Sequence, residues 1–312
     1  MALFPAPILT NGATHSAQQF RMLVRDLSLG AEGITQGSDL KVTQLATPGG
    51  AVQVGDGSGV IRGKVNAFQG TYAVCNVGSA TVTIAPTAGT PRSDLVIVRV
   101  EDPDYEGTRD PAVDPVTYFE VIPNVSSTAT TIPDGRTGIP LARIDIPAST
   151  ATITDAYIKD VRKIAVPRTQ RTLLPVQSPT AASTELGAST TYAYFSTHPG
   201  WNVAVPDWAS QAIISVRASQ ARLSTANFYG GIRATFGASL TLQFVTIDDN
   251  GGTGVRRAPF EVADTLTIPA SYRGTTQLLR VQAAGYSGNT GRINVDGSST
   301  FIADVQFTEA PR

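Results

Sequence analysis

The apolar residues of this chain fall mostly into short runs of period two, broken by Gly, Pro, Asn and Asp, and that pattern predicts strands. The densest stretch runs from Pro91 to Lys163. Within it, Asp94 to Val100 carries the apolar, mostly β-branched run Leu95 to Val98 and is closed by Glu101-Asp102-Pro103, which reads as a central strand buried on both faces. Leu141, Arg143 and Asp145 then alternate with Ala142, Ile144 and Ile146 ahead of Pro147, predicting a strand with one buried face and Leu141 as an apolar exception on the other. Earlier strands are predicted at Leu40 to Gln44, Ala51 to Val54, Val60 to Val65, Thr71 to Asn76 and Thr81 to Ile84. After Pro175 eight more follow, among them Thr190 to Phe195, Leu240 to Ile247 and Thr300 to Phe307. Gly55-Asp-Gly-Ser-Gly59 and Asp248-Asp-Asn-Gly-Gly252 read as tight hairpin turns.

One segment has the helical period instead. Ser16-Ala-Gln-Gln19 has capping-box spacing, Phe20, Leu23, Val24 and Leu27 share one face, and Gly30 supplies a stop. A lone three-turn helix is marginal by itself, so its apolar stripe is expected to seal the sheet that follows, the alternative being a neighbouring subunit.

The pattern predicts a mainly β chain: an N-terminal β-rich domain with one short helix, then a C-terminal β-sandwich of jelly-roll type. With 312 residues, two domains are expected, at 1–163 and 176–312. The stretch 164–175 between them, with Pro167 and Pro175, reads as a stiff solvated linker. Lys159, Arg162, Lys163, Arg168 and Arg171 place five cations in and beside it, a candidate docking strip for an acidic neighbour.

Charge and cysteine usage narrow the function. The chain has 24 basic and 25 acidic residues and a net charge of −1, which argues against nucleic acid or an anionic membrane as partner. Met1-Ala-Leu-Phe-Pro-Ala-Pro7 lacks the basic start of an export signal, and no apolar run is long enough to span a bilayer. Cys75, the sole cysteine, cannot form an intrachain disulfide and is expected as a buried thiol beside Val74 and Val77. Twenty arginines against four lysines is the usage of a high-GC genome.

Catalytic chemistry is not signalled. The only histidines, His15 and His198, lack a nucleophile motif around them, and one Cys with two distant His makes no zinc set. The acidic loop Glu101 to Asp114 lacks the alternating ligands of a calcium loop and is expected to be solvated. No cofactor is expected. Trp201 and Tyr229, beside Gly200 and Gly230 in loop-like sequence, are candidate exposed rings for a glycan or a subunit contact, whereas Trp208 is expected in the core.

The order of motifs between Pro91 and Arg162 also carries a resemblance. Arg92-x-Asp94-Leu-Val-x-x-x-Val100, a long acidic loop, Pro140-Leu-Ala-x-Ile-x-Ile-Pro-Ala148, and Ile153-Thr-x-Ala-x-Ile-x-Asp-x-Arg162 resemble the first domain of baseplate and minor tail proteins of long-tailed bacteriophages. The likeness covers about the first half of the chain. Segments of the second half, such as Ile268-Pro-Ala-Ser-Tyr-Arg-Gly274, resemble the C-terminal β-sandwich of tail proteins from phages of actinobacterial hosts, which the arginine usage fits. The resemblance implies a non-enzymatic tail-tip or baseplate component of the virion, made in the host cytoplasm. Its partners would be copies of itself, three by the family's habit, and other tail proteins. A receptor protein for host cell-surface polysaccharide is the alternative, and a polysaccharide depolymerase the third.

Overall fold

The computed structural model describes Phe4, Pro7, Ile8 and residues 10–312; most of the stretch read for an export signal lies outside the described residues. The fold is mainly β. It divides into two compact units, Met1–Pro167 with Ala310–Arg312, and Arg168–Glu309.

In the first unit, α1 (Ala17–Leu27) starts with the expected capping box. The Gln19 N–H donates to Ser16 Oγ at 3.2 Å, and the Ser16 N–H donates to Gln19 Oε1 at 2.9 Å, so two backbone donors without helical partners are satisfied reciprocally. Strands β1 (Gly33–Ile34), β2 (Val42–Gln44), β3 (Ala51–Val54), β4 (Gly57–Arg62), β5 (Thr71–Asn76) and β6 (Ala80–Thr83) follow. Then come β7 (Arg92–Val100), β8 (Thr117–Ile122), β9 (Gly138–Ile146) and β10 (Ile158–Asp160). They form antiparallel sheets ordered β1-β4-β5, β2-β3-β6 and β10-β9-β7-β8.

Strand β7 is central and buried on both sides, as its sequence requires. Val96, Val98 and Val100 enter the larger core with Val52, Val54 and Ile144, while Leu95 and Ile97 meet Ile122 and Val161 on the other side. Each such side chain contributes about 1.5–3 kcal/mol by leaving water. Leu141 is fully buried in the larger core, because the register of β7 on β9 shifts between Val96–Ala142 and Ile97–Pro140 and leaves it as the extra, bulged residue. The apolar exception is thereby turned inward.

Two turns behave differently from their sequence. Gly55 to Gly59 does not close a hairpin: β3 pairs with β2 and β6, and β4 with β1 and β5, so the turn carries the chain from one sheet to another. Cys75 is exposed, because period two on β5 puts it opposite the inward Val74, and Val77 is exposed as well.

The second unit contains β11 (Thr169–Leu173), β12 (Ala193–Tyr194), β13 (Trp201–Ala204), β14 (Gln211–Ser224), β15 (Phe228–Phe236) and β16 (Leu240–Thr241). It continues with β17 (Val245–Asp249), β18 (Arg256–Thr267), β19 (Thr276–Gly285), β20 (Arg292–Asn294) and β21 (Thr300–Thr308). One sheet runs β11-β21-β14-β18, with β20 also on β14; the other runs β12-β19-β15-β16, with β13 on β19 and β17 on β15. The two enclose a single core that includes Phe195, Phe228, Phe236 and Phe301. Asp248 to Gly252 passes between the sheets, since β17 pairs with β15 and β18 with β14.

Residues 166–173 of the expected linker 164–175 are exposed, and the stretch is ordered at both ends. Ile164 is buried and bridges to Ile34 in the first unit, while Thr169–Leu173 is an edge strand on β21 in the second. Its alternation of Thr, Gln and Arg reads as polar, yet an edge strand needs only its backbone to pair.

Candidate functional site

Helix α1 meets its own sheet with its polar side. Arg21 lies against β5, where its Nε donates to the Gln69 carbonyl at 2.8 Å and its Nη1 pairs with Asp102 at 3.3 Å. The guanidinium also sits 5.4 Å from the centre of the Tyr72 ring and 5.3 Å from that of Tyr105. Burial, then the hydrogen bond it donates to Asp102, push the Tyr72 phenol well above its ordinary range. Gln18 anchors the same side through the Phe68 carbonyl. The apolar stripe therefore points away from the sheet it was expected to seal. Leu23 and Val24 are half-buried, but Phe20 is 48% exposed and Leu27 75%.

The outer face of the β12-β19-β15-β17 sheet is the second uncovered surface. Period two sends Phe228, Ile232 and Phe236 of β15 into the core and Tyr229, Gly231, Arg233 and Thr235 outward. Tyr229 and Tyr286 meet edge to face at 5.0 Å, and Tyr286 and Phe244 do so at 6.3 Å. Arg233 stacks on Tyr192 at 4.0 Å and Arg280 on Tyr194 at 4.4 Å. Gly231 makes room for this: a Cβ there would lie 2.2 Å from the Tyr192 hydroxyl and 2.6 Å from that of Tyr286. Burial and the hydrogen bond with Tyr286 push the Tyr192 phenol up to about 12. Arg233 Nε donates to Gln282 at 2.9 Å and Arg280 Nε to the His198 carbonyl at 3.1 Å, but neither guanidinium meets a carboxylate among the described residues.

The residues expected at a site are dispersed. Tyr229 is exposed at 43%, although it lies within strand β15 and not in a loop, whereas Trp201 is buried at 4%. Gly200 precedes a strand, not an open loop, and the Trp201 indole N–H donates to the Pro175 carbonyl at 2.7 Å, which satisfies its one donor inside the unit. Trp208 packs against the core as expected, with Arg168 over its ring at 5.3 Å.

The cations Lys159, Arg162, Lys163, Arg168 and Arg171 do not form a free strip. Arg162 is buried, bonded to Asp160, the Asp39 carbonyl and the Arg312 carbonyl. Arg168 pairs with Glu309 and Arg171 with Asp304. Lys159 donates to the Ala156 carbonyl, and only it and Lys163 are exposed without a carboxylate. Sequence proximity grouped cations that period two and local ion pairs separate.

In the acidic loop, Glu101 accepts from Arg109 and Tyr118, and Glu106 accepts from the Thr137 N–H. No group of three potential metal ligands occurs among the described residues. His198 is buried against Phe301 at 3.9 Å and Trp201 at 5.0 Å, and neither ring nitrogen has a partner among the described residues. Burial, aided by the nearby Arg280 charge, lowers its pKa to about 4, so it is neutral at pH 7. Tyr192, Tyr194, Phe244, Arg233, Arg280 and Tyr286 joined Tyr229 only through strand pairing, which no local motif signals. No helix among the described residues is long and apolar enough to cross a membrane.

No family model and no curated protein matches the chain. Among solved structures it is similar to that of the infectious bursal disease virus Gx strain, at 11% identity over 91% of this chain and 76% of that one, with a TM-score of 0.24. It is similar to the VP2 subviral particle of the same virus at 12% identity, covering 90% and 79% of the two chains, with a TM-score of 0.21. The insecticidal crystal protein Cry7Ca1 of Bacillus thuringiensis follows at 10% identity, 91% and 56% coverage and a TM-score of 0.16. These overlaps are shallow, and the functional reading rests on the residues of the chain itself.

Proposed function

We propose that this protein is a structural component of a virion, in a phage tail tip or baseplate, that assembles through its first unit and presents its second unit to partners or to the host surface. The observation that carries the assembly step is the orientation of α1. A helix that binds its own sheet through Arg21 and Gln18 and leaves Phe20 and Leu27 in water is incomplete as a monomer surface, and the occupant that best matches an apolar stripe is the same stripe on another copy. The phage location rests on the motif order of the first half, whose Arg92 to Val100 and Pro140 to Ala148 segments supply β7 and β9. In this reading the work is done by interfaces and no substrate is turned over.

Sedimentation of the purified chain at micromolar concentration tests the assembly step. The wild type is expected to associate, while Phe20→Glu and Leu27→Glu sediment as monomers with unchanged thermal unfolding. Wild-type protein that remains monomeric, or variants that associate as it does, would contradict the proposal.

A further inference from the structure

We propose that the outer face of the β12-β19-β15-β17 sheet binds an anionic glycan, a polymer of sugar rings bearing carboxylate or phosphate groups. The inference does not depend on what α1 contacts. Two features of the face point to this ligand together.

The first is the set of rings. Tyr229 and Phe244 are 43% and 47% exposed, and both are braced edge to face by Tyr286. From Tyr229 to Thr235 the outward residues of β15 span about 20 Å, a length suited to a chain of sugars more than to a single small molecule. The C–H groups of a sugar ring carry partial positive charge and meet the negative face of an aromatic ring favourably. Beside the aromatics the exposed hydroxyl of Thr246 can exchange hydrogen bonds with sugar hydroxyls, while Thr235 and Gln282 are buried beneath the rings and hold Tyr194 and Arg233 in place. Gly231, the outward glycine between Tyr229 and Arg233, leaves its place to the hydroxyls of Tyr192 and Tyr286 and so lets those rings lie over the strand.

The second is charge. Most arginines of this chain hold a carboxylate, including Arg217 with Glu261 and Arg222 with Glu185 in the same unit. Arg233 and Arg280 hold none, and each is fixed by an aromatic ring and by one hydrogen bond from its Nε. That leaves the terminal N–H groups of two oriented guanidiniums, the geometry that takes a carboxylate or phosphate in two parallel hydrogen bonds. The one acid on this face, Asp248, pairs across from Tyr229, four residues along β15 from Arg233. A protein partner would have to match both cations with carboxylates of its own in the middle of its contact, because an unpaired buried charge is costly. A polyanionic sugar meets them while the face stays wet.

Binding to immobilised polygalacturonate and to yeast phosphomannan, the carboxylate and phosphate arms, is to be measured with the full chain at physiological salt, beside neutral dextran and polyglutamate. At least one anionic polysaccharide is expected to bind at least tenfold more tightly than dextran, and polyglutamate, which has charge but no sugar rings, not to bind. Tyr229→Ala with Phe244→Ala is expected to weaken binding at least tenfold; both rings are exposed, so unfolding should be unchanged. Arg233→Gln should remove the preference over dextran, while Arg217→Gln, on the other sheet, should change nothing. The proposal is overturned if neither anionic polysaccharide binds, if dextran or polyglutamate binds as tightly, or if the ring variants bind like wild type. It is equally overturned if the ring variants abolish self-association, which would make this face a protein interface.

Discussion

On α1 the uncovered residues are Phe20 and Leu27, and the cations of the helix are already held, Arg21 by Asp102 and Arg25 by Asp26. On the outer sheet of the second unit the rings share their surface with Arg233 and Arg280, which hold no carboxylate. Both surfaces expose apolar groups, yet they ask for different partners. A purely apolar stripe gains by excluding water and is satisfied by another such stripe; rings interleaved with oriented cations gain only when a ligand brings both C–H surface and negative charge. In the reading proposed above, the first surface serves assembly and the second recognition.

Substitutions can break that assignment, and the largest effects lie in the cores. Val96→Asp and Ile97→Asp place a carboxylate on opposite sides of β7 at fully buried positions. Each is expected to cost several kcal/mol and to lower the unfolding temperature of the first unit. If both leave thermal unfolding unchanged, β7 is not the centre of that core.

Acid acts on the second unit next. The folded pKa of His198, about 4, lies below the unfolded value of 6.5, so the neutral form favours the folded state. Its contribution is complete above pH 6.5, declines as the pH falls toward 4, and amounts to about 3 kcal/mol over the whole range. Urea unfolding at pH 7 and pH 5 should differ by about 2 kcal/mol from this group, and His198→Phe should remove that difference. An unchanged difference in the variant would assign the acid response to other groups.

Gly231→Ala is a smaller probe. The new methyl collides with the mobile ends of Tyr192 and Tyr286, so a loss of about 1 kcal/mol is expected, with the rings displaced. Tyrosine absorbance against pH should then show the Tyr192 phenol returning from about 12 toward its ordinary value. A titration curve identical to wild type would show that Gly231 does not set the ring arrangement. Smallest in stability are Phe20→Glu and Leu27→Glu, expected within about 0.5 kcal/mol of wild type by urea unfolding. A larger loss would mean that the stripe packs on its own unit.

The sequence carried much of this architecture. The capping box at Ser16, the bounds of Ala51–Val54 and Thr71–Asn76, and the double burial of β7 all follow from local residues. What stayed hidden was the direction of contact. Periodicity locates the stripe on α1 but cannot say that Arg21, through two tyrosines and Asp102, turns the opposite side to the sheet. Turn residues at 55–59 and 248–252 encode a reversal of the chain but not which sheet receives the next strand. Trp201 looked exposed because it follows Gly200 in loop-like sequence, whereas its partner, the Pro175 carbonyl, lies 26 residues away. Tyr229 was legible alone; the rings and cations beside it come from strands distant in sequence.

The most direct test of the assembly claim is an electron-microscopy map of the particle at side-chain resolution. Density for this chain in the tail tip or baseplate, with Phe20 and Leu27 of α1 seated against a second copy, is the result expected. A chain absent from the particle, or present with that face of α1 open to solvent, would contradict it.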